Sequence, residues 1–170
     1  MGLFDGIDLT KLFDNESEYG KKYIFGTLTD EMIQRAEETM GYKIPASYRE
    51  LLAFQNGGLI SDQLDESWLT TIYGIGPVAE SFNGLEEMFD NWKNGWEYPD
   101  LGIPFGETQS AGHDMYYMDF SVVHDGEPRI VRIDNEDDNT IYYVADNLVE
   151  FIRLILENSV IEEKLIEVSS

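Results

Sequence analysis

Cysteine is absent from this 170-residue chain, basic residues are scarce, and there are only five prolines. Without cysteine there is no disulfide, no thiolate nucleophile and no cysteine-based zinc site. Eleven Lys and Arg stand against 34 Asp and Glu, a formal net charge of −23. A surface that grips phosphate needs clustered Lys and Arg, so this balance speaks against nucleic acid. It speaks equally against an anionic membrane surface. No apolar run is long enough to cross a bilayer. The opening stretch MGLFDGIDLTKLFDNESEYG lacks the basic start and long apolar core of a signal peptide. It also lacks the Ser or Thr at position six that myristoylation requires. A cytoplasmic location is therefore expected.

The remaining 42% hydrophobic and 13% aromatic content is enough for one domain with a substantial core. The acidity favours a cationic partner reached by electrostatic steering, or simply confers solubility. His113 and His124 are the only histidines. Neither has a motif partner, so surface or capping roles are expected. No nucleophile elbow or zinc-helix pattern is present. The chain is read as non-enzymatic, with no cofactor.

Two motifs invite chemistry and are better read without it. Gly74-Ile75-Gly76-Pro77-Val78-Ala79 matches a dinucleotide fingerprint in letters and follows a strand. A Rossmann turn needs a long helix whose free N–H groups face the pyrophosphate, and Asn83-Gly84 interrupts almost at once. Asp134-Asn135-Glu136-Asp137-Asp138-Asn139 offers oxygens to a hard cation. It lacks the central Gly and distal bidentate Glu of a calcium loop, so it reads as a solvated hairpin turn. Like charges this close are expected to make it flexible and strongly negative.

Along the chain, Met1 to Gly26 reads as an extension in which Leu3, Phe4, Ile7 and Phe13 dock onto the domain. Thr29 is a good helix N-cap, and Met32, Ile33, Ala36 and Met40 fall on one face. Pro45 opens a second helix at a position where its missing N–H costs nothing. Tyr48, Leu51 and Leu52 form its buried stripe. Ile44, not a Ser, Thr or Asp, stands at the cap position. Asn56-Gly57-Gly58 ends the helix with the left-handed backbone that Gly tolerates. Leu69 to Ile75 reads as a strand, and Leu85, Met88, Phe89 and Trp92 as one side of a short helix. Trp96-Glu97-Tyr98-Pro99 is irregular. Strands follow at Ile103–Phe105, Met115–Phe120, Ile130–Ile133 and Ile141–Val144. Asp146 caps a last helix to about Asn158 with Leu148, Phe151, Ile152 and Ile155 inward. Val160 to Ser170 reads as the end of that helix or a tail. Helices, then closely connected strands, then a helix imply an α+β fold. The expected architecture is a single domain, a twisted mainly antiparallel sheet with helices packed on one face.

Alternation along Met115–Phe120 puts Tyr116, Met118 and Phe120 on one face and Met115, Tyr117 and Asp119 on the other. Asp119 and Arg132 suggest that the second face is open. Its Tyr, Arg and Asp have the composition of an interface centre, or of an ordinary sheet whose polar side faces water. Trp68, Trp92 and Trp96 are read as core or rim.

The run GYKIPASYRELLAFQNGG from Gly41 to Gly58, with the helix before it, resembles the opening motif of the SUKH superfamily. That superfamily contains bacterial toxin-immunity proteins and the fungal cell-wall-assembly regulators. Ile103-Pro104-Phe105-Gly106, Met115-Tyr116-Tyr117-Met118-Asp119, Gly126-Glu127-Pro128 and Val144-Ala145-Asp146 extend the resemblance over roughly Leu28 to Leu156. It implies a SUKH-like domain over residues 27–158, flanked by the extension 1–26 and the segment 159–170. It further implies an immunity protein that binds and neutralises a bacterial toxin, often a nuclease in this family. The alternative it carries is a regulatory scaffold that binds cell-wall or signalling proteins. On the immunity reading the partner is a protein toxin with a basic surface. Asp134, Glu136, Asp137 and Asp138 would then supply field and contacts, with Tyr117, Asp119 and Arg132 as anchors.

Overall fold

The computed structural model describes residues 2–76 and 84–166. Seven strands form one antiparallel sheet whose spatial order is the chain order. They are β1 (Gly58–Leu59), β2 (Leu69–Ile72), β3 (Gly102–Thr108), β4 (Asp114–His124), β5 (Glu127–Asp134), β6 (Thr140–Ala145) and β7 (Lys164–Ile166). The helices are α1 (Glu18–Lys21), α2 (Asp30–Met40), α3 (Ala46–Phe54), α4 (Leu85–Asp90) and α5 (Leu148–Leu156). The fold is α+β, as the element order implies. Residues 77–83 lie outside the described residues. They include Pro77-Val78-Ala79 of the nucleotide-like motif and the Asn83 expected to interrupt it.

The helices form where caps allow them. Thr29 accepts a hydrogen bond from the Met32 amide at 3.2 Å, and Gly41 ends α2 at φ +81°. Ala36 and Met40 are buried, with Met32 and Ile33 packed at the edge of the core. In α3, Pro45 is the extended residue before the helix rather than its first turn. It has no capping side chain. The carboxylate of Glu127, at the start of β5, fills the role by accepting from the Ser47 amide at 3.2 Å and from the Ser47 hydroxyl. A negative group at a helix N-terminus also meets the positive end of its dipole.

The end of α3 differs from the expected glycine cap. Gln55 leaves the helix in an extended conformation, and Asn56-Gly57-Gly58 turns into β1. The buried Asn56 side chain donates to Gly26 O and Ile75 O and accepts from the Ile75 amide at 2.8 Å. Gly57 has φ +89°, and a Cβ there would lie 2.6 Å from the Gly74 nitrogen. In α5 the cap is Asn147, which accepts from Glu150 N at 2.9 Å. Asp146 instead accepts from the Tyr143 hydroxyl at 2.6 Å.

One core unites these parts. α5 lies over Tyr116 and Phe105, with Phe151 in ring contact with both at 4.8 and 5.6 Å. Phe4, Leu9, Leu12 and Phe13 of the N-terminal segment are buried in the same core. Glu50 holds that segment by accepting from the Leu3 and Phe4 amides. Leu12 O and Asp14 N then bond across to Ser61 and Leu59. After α5 the chain does not stay helical: Lys164–Ile166 adds β7 beside β6. Lys164-Leu165-Ile166 is a run of three with no apolar alternation, so nothing in it signals a strand.

Candidate interaction surface

The residues expected to anchor a partner do not share an open face. Tyr117 is 2% exposed and Asp119 is fully buried. Tyr117 stacks on Tyr98 with ring centres 5.7 Å apart, under the irregular segment that follows α4. Asp119 accepts from Arg129 Nε at 2.6 Å and from the Ser121 amide and hydroxyl at 2.9 and 2.6 Å. The correction has a plain cause. Period-2 alternation identifies two faces but not which one a distant loop will cover, and Trp92–Tyr98 covers this one.

Arg132 lies on the other face. Its cross-strand neighbours are Tyr116 and Tyr142, not Asp119. Its guanidinium bonds to Asp114 and to both oxygens of Glu163, and sits 4.3 Å from the Tyr142 ring centre and 5.4 Å from that of Trp68. Burial alone would lower the Arg132 pKa, but the two carboxylates more than reverse that and raise it. Burial pushes the Asp114 carboxyl up, only partly offset by Arg132. Arg132 is thus a structural cation that ties β5 to the segment leading into β7.

The acidic turn is different. β5 ends at Asp134, which accepts from the Glu136 and Asp137 amides at 3.1 and 3.2 Å and starts a single 3-10 turn. Asp138 and Asn139 follow with φ +52° and +58°, which short polar side chains tolerate. The two amide side chains brace the turn. Asn135 donates to Trp96 O at 3.1 Å and Asn139 Oδ1 at 2.9 Å, and Asn139 donates to Glu97 O at 3.3 Å. The Asn135 amide reaches His113 O at 2.8 Å. The turn is therefore cross-linked to two neighbouring loops, where like-charge repulsion alone had suggested flexibility. Glu136, Asp137 and Asp138 remain exposed, while Asp134 is half-buried at the base.

The same end of the sheet gathers more acid. The loop before β2 exposes Asp65 and Glu66, and Gln109 of the β3–β4 turn donates to Asp65 O at 3.1 Å. Glu97 and Trp96 stand exposed beside the turn. His113 Nδ1 lies 3.1 Å from Glu136 Oε1, and its ring meets the Trp96 ring edge-on at 5.8 Å. Sequence reasoning did not select Trp96, Glu97 or His113 for this surface. The available signal was a tryptophan in an aperiodic Gly-Trp-Glu stretch, where no helix or strand pattern buries it.

Elsewhere, a groove of ≈ 870 Å³ runs between the N-terminal segment and the end of α5. Its Asp8 and Asp14 act as local caps for Thr10 and Ser17, and those hydrogen bonds hold both carboxyls below their ordinary value. Among the described residues, no group of three His, Asp or Glu is placed to hold a metal ion. Among them, too, no helix is long and apolar enough to cross a membrane.

The model of the SMI1 / KNR4 family (SUKH-1) matches residues 27–154. The chain belongs to that family. SUKH domains are generally non-enzymatic immunity or regulatory proteins, with proteins as their usual partners. The match begins one residue after Gly26, so Phe4, Leu9, Leu12 and Phe13 are core residues contributed from outside the matched segment. No curated protein matches the chain.

Proposed function

We propose that this SUKH-1 protein is a non-enzymatic immunity protein that binds and neutralises a bacterial toxin with a basic surface, of the nuclease type. It would act in the cytoplasm of a bacterial cell. The carrying observation is the braced turn that exposes Glu136, Asp137 and Asp138 at the acidic end of the sheet, in a chain of net charge −23. Six of the eleven basic residues, Lys21, Arg35, Lys93, Arg129, Arg132 and Arg153, pair with acids of this chain. A nuclease must present Lys and Arg to phosphate, and a rigid acidic surface competes for those cations. The same field disfavours nucleic-acid backbones and anionic membranes as ligands.

The test uses the toxin domain encoded nearest this gene and the variant Asp134→Asn, Glu136→Gln, Asp137→Asn, Asp138→Asn. Rim charges act mainly on association. The variant should associate roughly tenfold or more slowly at low salt, with a flatter dependence on ionic strength. Protection against the toxin should weaken in step. Association as fast as the parent at low salt would remove this turn from the interface.

A further inference from the structure

Among the described residues of the acidic end, Trp96 is the large aromatic most exposed to solvent while still held in place. It is 36% exposed, yet its backbone and ring are both held. Its amide donates to Asn91 O at 3.1 Å, and its carbonyl accepts from Asn135 of the acidic turn at 3.1 Å. Trp92 meets its ring at 5.2 Å and 60°, and His113 at 5.8 Å and 75°. Gly112 permits this assembly. It has φ +100°, and a Cβ there would lie 3.0 Å from the Trp92 ring and 3.1 Å from the Trp96 ring. Glu97 follows at φ +60°, its carbonyl tied to Asn139. On the other side, Glu136 Oε1 lies 3.1 Å from His113 Nδ1. A partly exposed indole is thus held at the acidic turn.

Such a combination has a specific complement. The face of an indole attracts a cation, and Trp does so best among the aromatics. A guanidinium is planar, stacks on rings and takes carboxylate in a fork, whereas an ammonium is a strongly hydrated point charge. The molecule uses this chemistry internally at Arg132, which sits over Tyr142 and Trp68 while bonding to Asp114 and Glu163. At Trp96 the aromatic and the carboxylates face solvent instead.

We infer that Trp96 is the anchor of the acidic surface, a platform for an arginine side chain of the protein partner, with Glu97 and Glu136 beside it. This rests on the acidic-surface reading above and names the group that the surface recognises. It also gives a reason for the buried Trp92, itself edge-on to Tyr98 at 5.8 Å, to carry an exposed tryptophan.

The experiment titrates the full chain, at low salt, with an end-capped tetra-arginine peptide and, separately, tetra-lysine. The three indole N–H signals of Trp68, Trp92 and Trp96 are followed by NMR, with Trp96→Phe to assign them. Tetra-arginine should move the Trp96 signal and the amides of Glu136–Asp138. Trp96→Ala should bind it roughly three- to fivefold more weakly, the scale of an exposed cation–π contact. Tetra-lysine should bind more weakly than tetra-arginine. A Trp96 signal that stays still while the Glu136–Asp138 amides move overturns the anchor and leaves the acidic surface standing. Equal response to both peptides overturns the arginine preference. If neither peptide moves any of these signals, the surface is not a cation site and both readings fall. The parent-chain titration decides these points even if Trp96→Ala folds poorly.

Discussion

Ser47 and Glu127 lie 80 residues apart, yet one carboxylate accepts both the Ser47 amide and its hydroxyl. A helix entered through Ile44-Pro45 has no capping side chain for its first amides, so a neighbouring strand supplies one. Glu127→Ala should lower the unfolding free energy by about 1–2 kcal/mol, the usual cost of a lost cap, and Glu127→Gln by less. Urea midpoints for the two variants check this; equal stability of Glu127→Ala and parent would remove the cap from α3. Glu107 makes a second residue-scale case. Trp92 Nε1 donates to the Tyr73 hydroxyl at 2.9 Å, and that hydroxyl donates to Glu107 at 2.7 Å. Burial raises the Glu107 carboxyl above its ordinary 4.5, outweighing the Tyr73 bond that lowers it. A raised carboxyl favours the folded state while protonated. Its contribution is fully present below the ordinary value and is lost as pH rises through the folded one. Glu107→Gln keeps an acceptor for Tyr73 and no buried charge. It should be more stable than the parent at pH 7, with the advantage gone below about pH 4.5. Denaturant midpoints across pH 4 to 7 test the sign.

At the scale of elements, the turn after α3 and the segment after β2 interlock through backbone. A Cβ on Gly74 would lie 2.2 Å from Asn56 O, and one on Gly76, at φ +153°, would lie 2.9 Å from Met32. Gly74 of the nucleotide-like motif thus meets a packing requirement, and Gly76 a backbone one. Asn56 closes the joint with its three side-chain hydrogen bonds to Gly26 and Ile75. Gly74→Ala should cost more than about 4 kcal/mol, because backbone rather than a flexible side chain must move. Gly95→Ala, whose tightest neighbour would be at 3.4 Å, should change stability by less than about 1 kcal/mol. Thermal unfolding of the pair is the check, and similar Tm values would refute the interlock. Elements were legible where local chemistry was decisive: Thr29 and the Ala36/Met40 stripe for α2, and Phe151 and Ile152 for α5. They were illegible where a neighbour decided. β7 pairs with the edge of β6 beside the Arg132–Glu163 ion pair, and the three residues Lys164-Leu165-Ile166 carry no strand pattern of their own.

For the whole molecule, the dominant physical fact is a field of one sign. Six of the eleven basic residues pair with acids of the chain itself, and the turn after β5 exposes Glu136, Asp137 and Asp138 at one end of the sheet. Composition predicted the net charge. It also placed Asp134, Glu136, Asp137 and Asp138 in a polar turn between strands. It did not reveal that Asn135 and Asn139 tie this turn to Trp96 and Glu97, since hydrogen bonds between loops about 40 residues apart leave no periodic trace. The chain by itself determined the α+β class, the main helices and strands, the family and the acidity. Each of these follows from patterns of a few residues or from sums over all of them. Only the tertiary structure decided that Tyr117, Asp119 and Arg132 are internal and that Trp96 is not. Burial of one side chain depends on which distant segment comes to rest on it, and packing, not local preference, makes that choice.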